Sequence, residues 1–117
     1  MAKVSFLTLA KHAAKIADDK KAIDVSILNV RKLTSVTDYF VIATADSQPQ
    51  LKAIADTISK AFHDEYTLKP SHKDGNSSDS WLAIDYGGLI VHIMSTEMRN
   101  LYTLERIWEK ARKTRCN

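Results

Sequence analysis

The dipeptide Gly87-Gly88 separates two strand-like runs, 81–86 and 89–94, and no other feature of the chain constrains its fold as tightly. Two glycines in this setting form the two-residue turn of a β-hairpin, whose primed geometry matches the twist of the flanking strands. A turn of that length sets the register. Tyr86 faces Leu89, Ile84 faces Val91 and Leu82 faces Ile93, all six apolar, so their face belongs to the core. The other face pairs Asp85 with Ile90, Ala83 with His92 and Trp81 with Met94. Asp85 and His92 are diagonal neighbours there, within reach of long side chains.

Around the hairpin the periodicities alternate between helix and strand. Phe6, Leu9, Ala10, Ala13 and Ala17 recur at helical spacing, and Asp18-Asp19-Lys20-Lys21 closes that helix. Ile23, Val25 and Ile27 alternate with polar residues, which predicts a half-buried strand. After a polar connection at 31–38, Tyr39-Phe40-Val41-Ile42-Ala43 is apolar on both faces, as a central strand requires. Ser47 and Gln50 form a capping box, with Pro49 in the first turn, ahead of Leu51, Ile54, Ala55, Ile58 and Phe62 on one helix face. A crossover into a strand around 66–69 is then expected, ended by Pro70, followed by an exposed loop at 71–80. Ser95 caps a last helix with Leu101, Leu104, Trp108 and Ala111 as its inner stripe, and the basic stretch 110–115 frays. The expectation is an α/β fold in a single small domain, 1–117, with about five strands in a mixed sheet and three helices.

Three helices cannot cover both faces of such a sheet. The hairpin face carrying Trp81, Asp85, His92 and Met94 is therefore expected to be partly open and to receive a partner, since an aromatic anchor among a few polar groups is how an interface hot spot is composed. A second reading has Asp85 and His92 satisfying each other beneath the last helix.

Composition narrows the function classes. With 117 residues, 44% apolar and 26% charged, the chain has the balance of a globular domain rather than a disordered one. A net charge of +3 permits an RNA-rich partner without requiring one. Cys116 is the single cysteine, so neither an intramolecular disulfide nor a cysteine-rich metal site can form, which fits a reducing compartment. No apolar run is long enough to span a bilayer and the start lacks a signal-peptide pattern, so a cytoplasmic location without membrane contact is expected; an organelle stays open if a longer precursor was trimmed.

Enzyme signatures are weak. There is no phosphate-binding loop and no zinc-protease motif, and Gly87-Gly88 sits in a hairpin rather than at a helix start. Ser95, His92 and Asp85 suggest a triad only on paper, because Ser95 is better placed as a helix cap and no oxyanion hole can be named. A metal site from His72, His92 and Asp85 needs a loop and a strand to converge. No cofactor is expected. The basic group Arg106, Lys110, Arg112, Lys113 and Arg115 reads as a solvated helix end that can also touch phosphates at the periphery of an RNA-containing partner.

Four blocks carry a family resemblance. They are Thr37-Asp38-Tyr39-Phe40-Val41-Ile42, Ala53-Ile54-Ala55-Asp56, Trp81-Leu82-Ala83-Ile84-Asp85-Tyr86-Gly87 with Val91-His92, and Arg99-Asn100-Leu101-Tyr102-Thr103-Leu104-Glu105-Arg106-Ile107-Trp108. In this order, over nearly the whole chain, they resemble the ribosomal silencing factor (Iojap) family, the last matching its R-x-x-Y-x-L-E-x-x-W signature. The pattern departs at Gly88, where an Asp is common and where glycine makes the turn more permissive.

The resemblance implies a nucleotidyltransferase-like fold without catalytic residues, and no enzyme activity. It implies binding to ribosomal protein fourteen of the large ribosomal subunit, blocking its association with the small subunit and repressing translation under nutrient limitation. Isolated members are often homodimers. By position it implies Trp81 as the apolar anchor, Asp85 as partner of a basic residue with His92 orienting it, and Tyr86 and Asp74 as further contacts. The alternative is a nucleotidyltransferase-like enzyme acting on a small acceptor, which needs paired carboxylates on adjacent strands; Asp85 has none across the hairpin.

Overall fold

The computed structural model describes residues 4–76, 80–102 and 112–114. The elements run α1 (Phe6–Asp19), β1 (Ile23–Asn29), β2 (Tyr39–Ala45), α2 (Gln48–Tyr66), β3 (His72–Asn76), β4 (Trp81–Asp85), β5 (Leu89–Ser95), α3 (Thr96–Tyr102) and β6 (Arg112–Thr114). The strands form one mixed sheet in the order β3-β4-β5-β2-β1-β6. Among the described residues only β2 and β5 pair in parallel, aligned from Tyr39 opposite Leu89 to Ala45 opposite Ser95. The architecture is the expected α/β one, with six strands in place of about five.

The helices begin where the caps predict. Ser5 Oγ accepts the N–H of Thr8 at the start of α1, and Ser47 Oγ accepts that of Gln50 at the start of α2. Gln50 Oε1 in turn accepts the N–H of Asp46, which completes a reciprocal cap one residue wider than the usual box. Leu9, Ala13 and Ala17 of α1 and Leu51, Ile54, Ile58 and Phe62 of α2 cover one sheet face, meeting Val41, Ile84, Leu89, Val91 and Ile93. All seven residues of β2 are buried, as an apolar run with neighbours on both sides demands. The hairpin register is the expected one, with Ile84 opposite Val91 and Ala83 opposite His92, and Tyr86 N–H donates to the Leu89 carbonyl at 2.8 Å.

Several expectations are corrected. No strand lies at 66–69: α2 continues to Tyr66, whose ring packs edge-on against Phe62, and Thr67 ends the helix in the left-handed conformation at φ 55°. The strand is instead β3, inside the stretch that reads as a loop. It is an edge strand of polar residues paired on one side only, so it leaves no hydrophobic alternation to read. Alternation in β1 breaks at a bulge where Asp24 takes φ 50°, after which Ile27 and Leu28 are both buried, on opposite faces. Arg112–Thr114 of the basic tail pair with β1 rather than fray. Leu101 is 69% exposed and takes no part in an inner stripe; Leu104, Trp108 and Ala111 lie outside the described residues.

Gly87, not Gly88, takes positive φ in the hairpin turn. A Cβ on Gly88 would lie 2.2 Å from the Phe6 ring, so glycine here makes room for α1 rather than loosening the turn.

Candidate docking face

Register places His72 and Asp74 of β3, Trp81, Ala83 and Asp85 of β4, and Ile90, His92 and Met94 of β5 on the sheet face away from α1 and α2. That face continues across Phe40, Ile42 and Thr44 of β2 to Ser26 and Leu28 of β1. Toward β1 it is covered: Leu28, Phe40, Ile42 and Met94 are buried, with Met98 of α3 packed against them. Toward β3 it opens. Trp81, Ala83, Asp85, Ile90 and His92 are half-buried, and Asp74 is exposed. Asp74, Gly75, Trp81, Ala83, His92 and Met98 line a groove of about 410 Å³. A larger depression of about 870 Å³ beside α1 mixes Lys11, His12, Lys15, Asp18 and Asp24, with no Trp, Tyr or Phe among its described lining residues, so we place the site in the smaller groove.

Within the groove the indole Nε1–H of Trp81 donates to Nδ1 of His92 at 3.1 Å. The Phe40 ring lies against the imidazole at 5.2 Å between centroids. Burial pushes the His92 pKa down to about 4, so the ring is neutral at pH 7. The resemblance implies that His92 orients Asp85, but the ring's Nδ1 is taken by Trp81. Asp85 Oδ1 instead accepts the Gly87 N–H at 2.7 Å, which ties the carboxylate to the hairpin turn. Its main-chain carbonyl accepts from the Ser71 N–H and hydroxyl, at 2.8 and 3.0 Å.

Tyr86 is on the core face, 8% exposed, with its ring 4.9 Å from that of Phe62. Its hydroxyl and that of Ser59 are the two buried side-chain polar atoms left without a bonded partner among the described residues. Burial raises the Tyr86 pKa. Tyr86 thus belongs to the packing beneath the sheet, on the face opposite the groove.

Asp74 lies on the open face and its Oδ1 meets His72 Nε2 at 2.9 Å. Because β3 is a strand, Asp74 and Asp85 stand diagonally on adjacent strands, a carboxylate pair hidden by reading 71–80 as a loop. Among the described residues no three His, Cys, Asp or Glu side chains converge as metal ligands, and His72, His92 and Asp85 form no such group. Ser95 caps α3 by accepting the Met98 N–H at 3.1 Å, the role expected for it.

The residue that sequence reasoning missed is Arg99. It is 8% exposed, and its guanidinium donates to the Asp24 carbonyl at the β1 bulge, to Thr44 Oγ1 at 2.9 Å and to Ser26 Oγ at 3.3 Å. A planar fork of donors suits three acceptors on two strands. Arg99 follows Met98, so the latch that pins α3 to the sheet also sets one wall of the groove. The available signal was Ser26 and Thr44, small polar residues at inward positions of apolar strands, which call for a buried donor.

Residues 3–117 match the family described as "Ribosomal silencing factor during starvation". The chain is 34% identical to the ribosomal silencing factor of Bacillus subtilis (strain 168), over 89% of this chain and 87% of that protein. It is 33% identical to a mouse protein named for mitochondrial assembly of the ribosomal large subunit, over 76% of this chain and 40% of that protein. A crystal structure of a Chromobacterium violaceum protein superposes with a TM-score of 0.85 at 28% identity, covering 91% of this chain and 88% of that one.

Proposed function

We propose that this chain, which belongs to the ribosomal silencing factor family, docks through the groove between β3 and β5 on the large ribosomal subunit and represses translation. One observation carries the reading: the half-buried Trp81, held by His92, stands on an open sheet face beside the carboxylates of Asp74 and Asp85. A fixed aromatic flanked by acids suits a basic, apolar protein surface, in keeping with ribosomal protein fourteen as the partner. Large-subunit assembly in the name of the mouse relative supports the same choice of subunit.

Repression is steric in this proposal. A body measuring 40 × 32 × 26 Å cannot lie in a joint where two subunits must approach to contact distance. The role falls under nutrient limitation and in the cytoplasm, with a homodimer as the free form and the basic group Arg106, Lys110, Arg112, Lys113 and Arg115 in peripheral contact with ribosomal RNA. The described residues include no helix long and apolar enough to cross a membrane.

Sedimentation tests the proposal. Tagged protein is expected to migrate with purified bacterial large subunits at physiological salt and to lower the yield of joined ribosomes; migration free of the subunit would sink it. Trp81→Ala is expected to weaken binding about thirtyfold, a central-anchor effect, while the circular dichroism spectrum stays native. An unfolded variant would mark Trp81 as core. The enzyme alternative predicts saturable, magnesium-dependent nucleotide binding, and finding it would revive that reading.

A further inference from the structure

The contact between Trp81 and His92 has a directional consequence. An indole nitrogen is a donor and never an acceptor, so Nδ1 of His92 must present its lone pair to Trp81. The proton of the neutral ring then resides on Nε2. No described residue accepts it. His92 is half-buried and lines the groove, so the ring nitrogen not engaged by Trp81 is the one left for a docked partner. Phe40 at 5.2 Å and Trp81 at 5.9 Å between ring centroids hold the imidazole plane, leaving this N–H little freedom to turn.

We propose that His92 is a specificity-determining residue that donates its Nε2–H to a main-chain carbonyl of the protein docked in the groove. The inference rests on the docking function proposed above. Carbonyl rather than phosphate follows from charge. The donor is uncharged, and Asp74 and Asp85 share its face, so a phosphate would meet two carboxylates and, among the described residues that line the groove, no Lys or Arg. A main-chain carbonyl is neutral, has a spare lone pair and runs beside cationic side chains in a basic partner, which the same two carboxylates attract.

Two isosteres separate the ring's nitrogens. His92→Asn reaches the Nδ1 position, where its amide oxygen keeps an acceptor for Trp81, but it drops the outward donor. His92→Gln reaches the Nε2 position and restores an outward N–H. Affinity is measured with the full chain and purified bacterial large ribosomal subunits. His92→Asn is expected to bind about tenfold more weakly than the parent, and His92→Gln within about threefold of it. Long-range proton–nitrogen NMR on the free parent protein is expected to show the Nε2-protonated tautomer at pH 7.

Equal binding by His92→Asn and the parent overturns this inference alone, as does an Nδ1-protonated ring. A parent that fails to bind the subunit overturns the docking function and this inference with it. A penalty for His92→Asn that vanishes between about 50 and about 200 mM salt identifies a phosphate acceptor and also overturns it. Should either variant fail to fold, the tautomer in the parent decides.

Discussion

Burial of His92 makes the stability of this domain depend on pH in one window. The folded pKa is about 4, against 6.5 when the ring is free in water, and the cause is desolvation. Between those values the unfolded chain binds a proton that the folded one refuses, so stability falls as pH drops from 6.5 toward 4. Above 6.5 both states are neutral, and below about 4 both are charged, so the contribution is flat outside the window. At about 1.4 kcal/mol per pH unit the full change is about 3 kcal/mol, a sizeable share of what holds a small domain together. Other parts of the chain contribute to any acid profile, so the effect is read as a difference. Urea denaturation of the parent and of His92→Gln across pH 4–7.5 isolates it. The gap in unfolding free energy is expected to shift against the parent by about 3 kcal/mol as the pH is lowered. Parallel pH profiles for the two proteins would refute the reasoning, because a ring that titrates normally in the fold is not desolvated.

Three further outcomes are expected. Arg99→Ala removes a buried fork from the Asp24 carbonyl, Ser26 and Thr44 and is expected to cost about 2–4 kcal/mol in urea denaturation; Arg99→Lys should recover only part, because a point donor cannot span two strands. Gly88→Ala is expected to cost about 1–3 kcal/mol, since its Cβ would overlap the Phe6 ring, and Phe6→Leu in the same chain should reduce the penalty in a double-mutant cycle. Tyr86→Phe is expected to leave subunit binding unchanged and stability within about 1 kcal/mol, because the hydroxyl lost is buried and unpaired; weakened binding would return Tyr86 to the docking face.

Legibility in the sequence followed the strength of local constraint. The hairpin could be read residue by residue because a two-residue turn leaves one register, and that register sorted Trp81, Asp85 and His92 from Leu82, Ile84 and Val91 correctly. β2 was equally plain, since a strand buried on both faces needs an unbroken apolar run. β3 and β6 were not, because edge strands are held by main-chain bonds on one side and ask little of their side chains. The β1 bulge escaped for a related reason: Asp24 adopts positive φ to turn its carbonyl toward Arg99, and that need is visible only when α3 is in place. On the site, sequence spacing placed Trp81, Asp85 and His92 on one face, as the register has them, but gave the wrong pairing. Diagonal proximity suggested Asp85 with His92, whereas the Gly87 N–H takes Asp85 and the indole takes His92. A turn amide two residues away is a closer suitor for a carboxylate than a neutral ring on the next strand.

The parallel ladder between β2 and β5 also bears on how the chain reaches this state. It joins strands separated by all of α2, β3 and β4, and parallel neighbours cannot meet through a tight turn. Closing so long a loop loses chain entropy before any contact compensates, whereas a hairpin forms in about 1–10 μs. The expected order of assembly therefore begins with the meander β3-β4-β5, which brings Trp81, Asp85 and His92 together, and ends when Arg99 reaches back to Asp24 and Thr44. The strands that carry the groove are the early-forming part of the molecule, and the wall that completes it is set last.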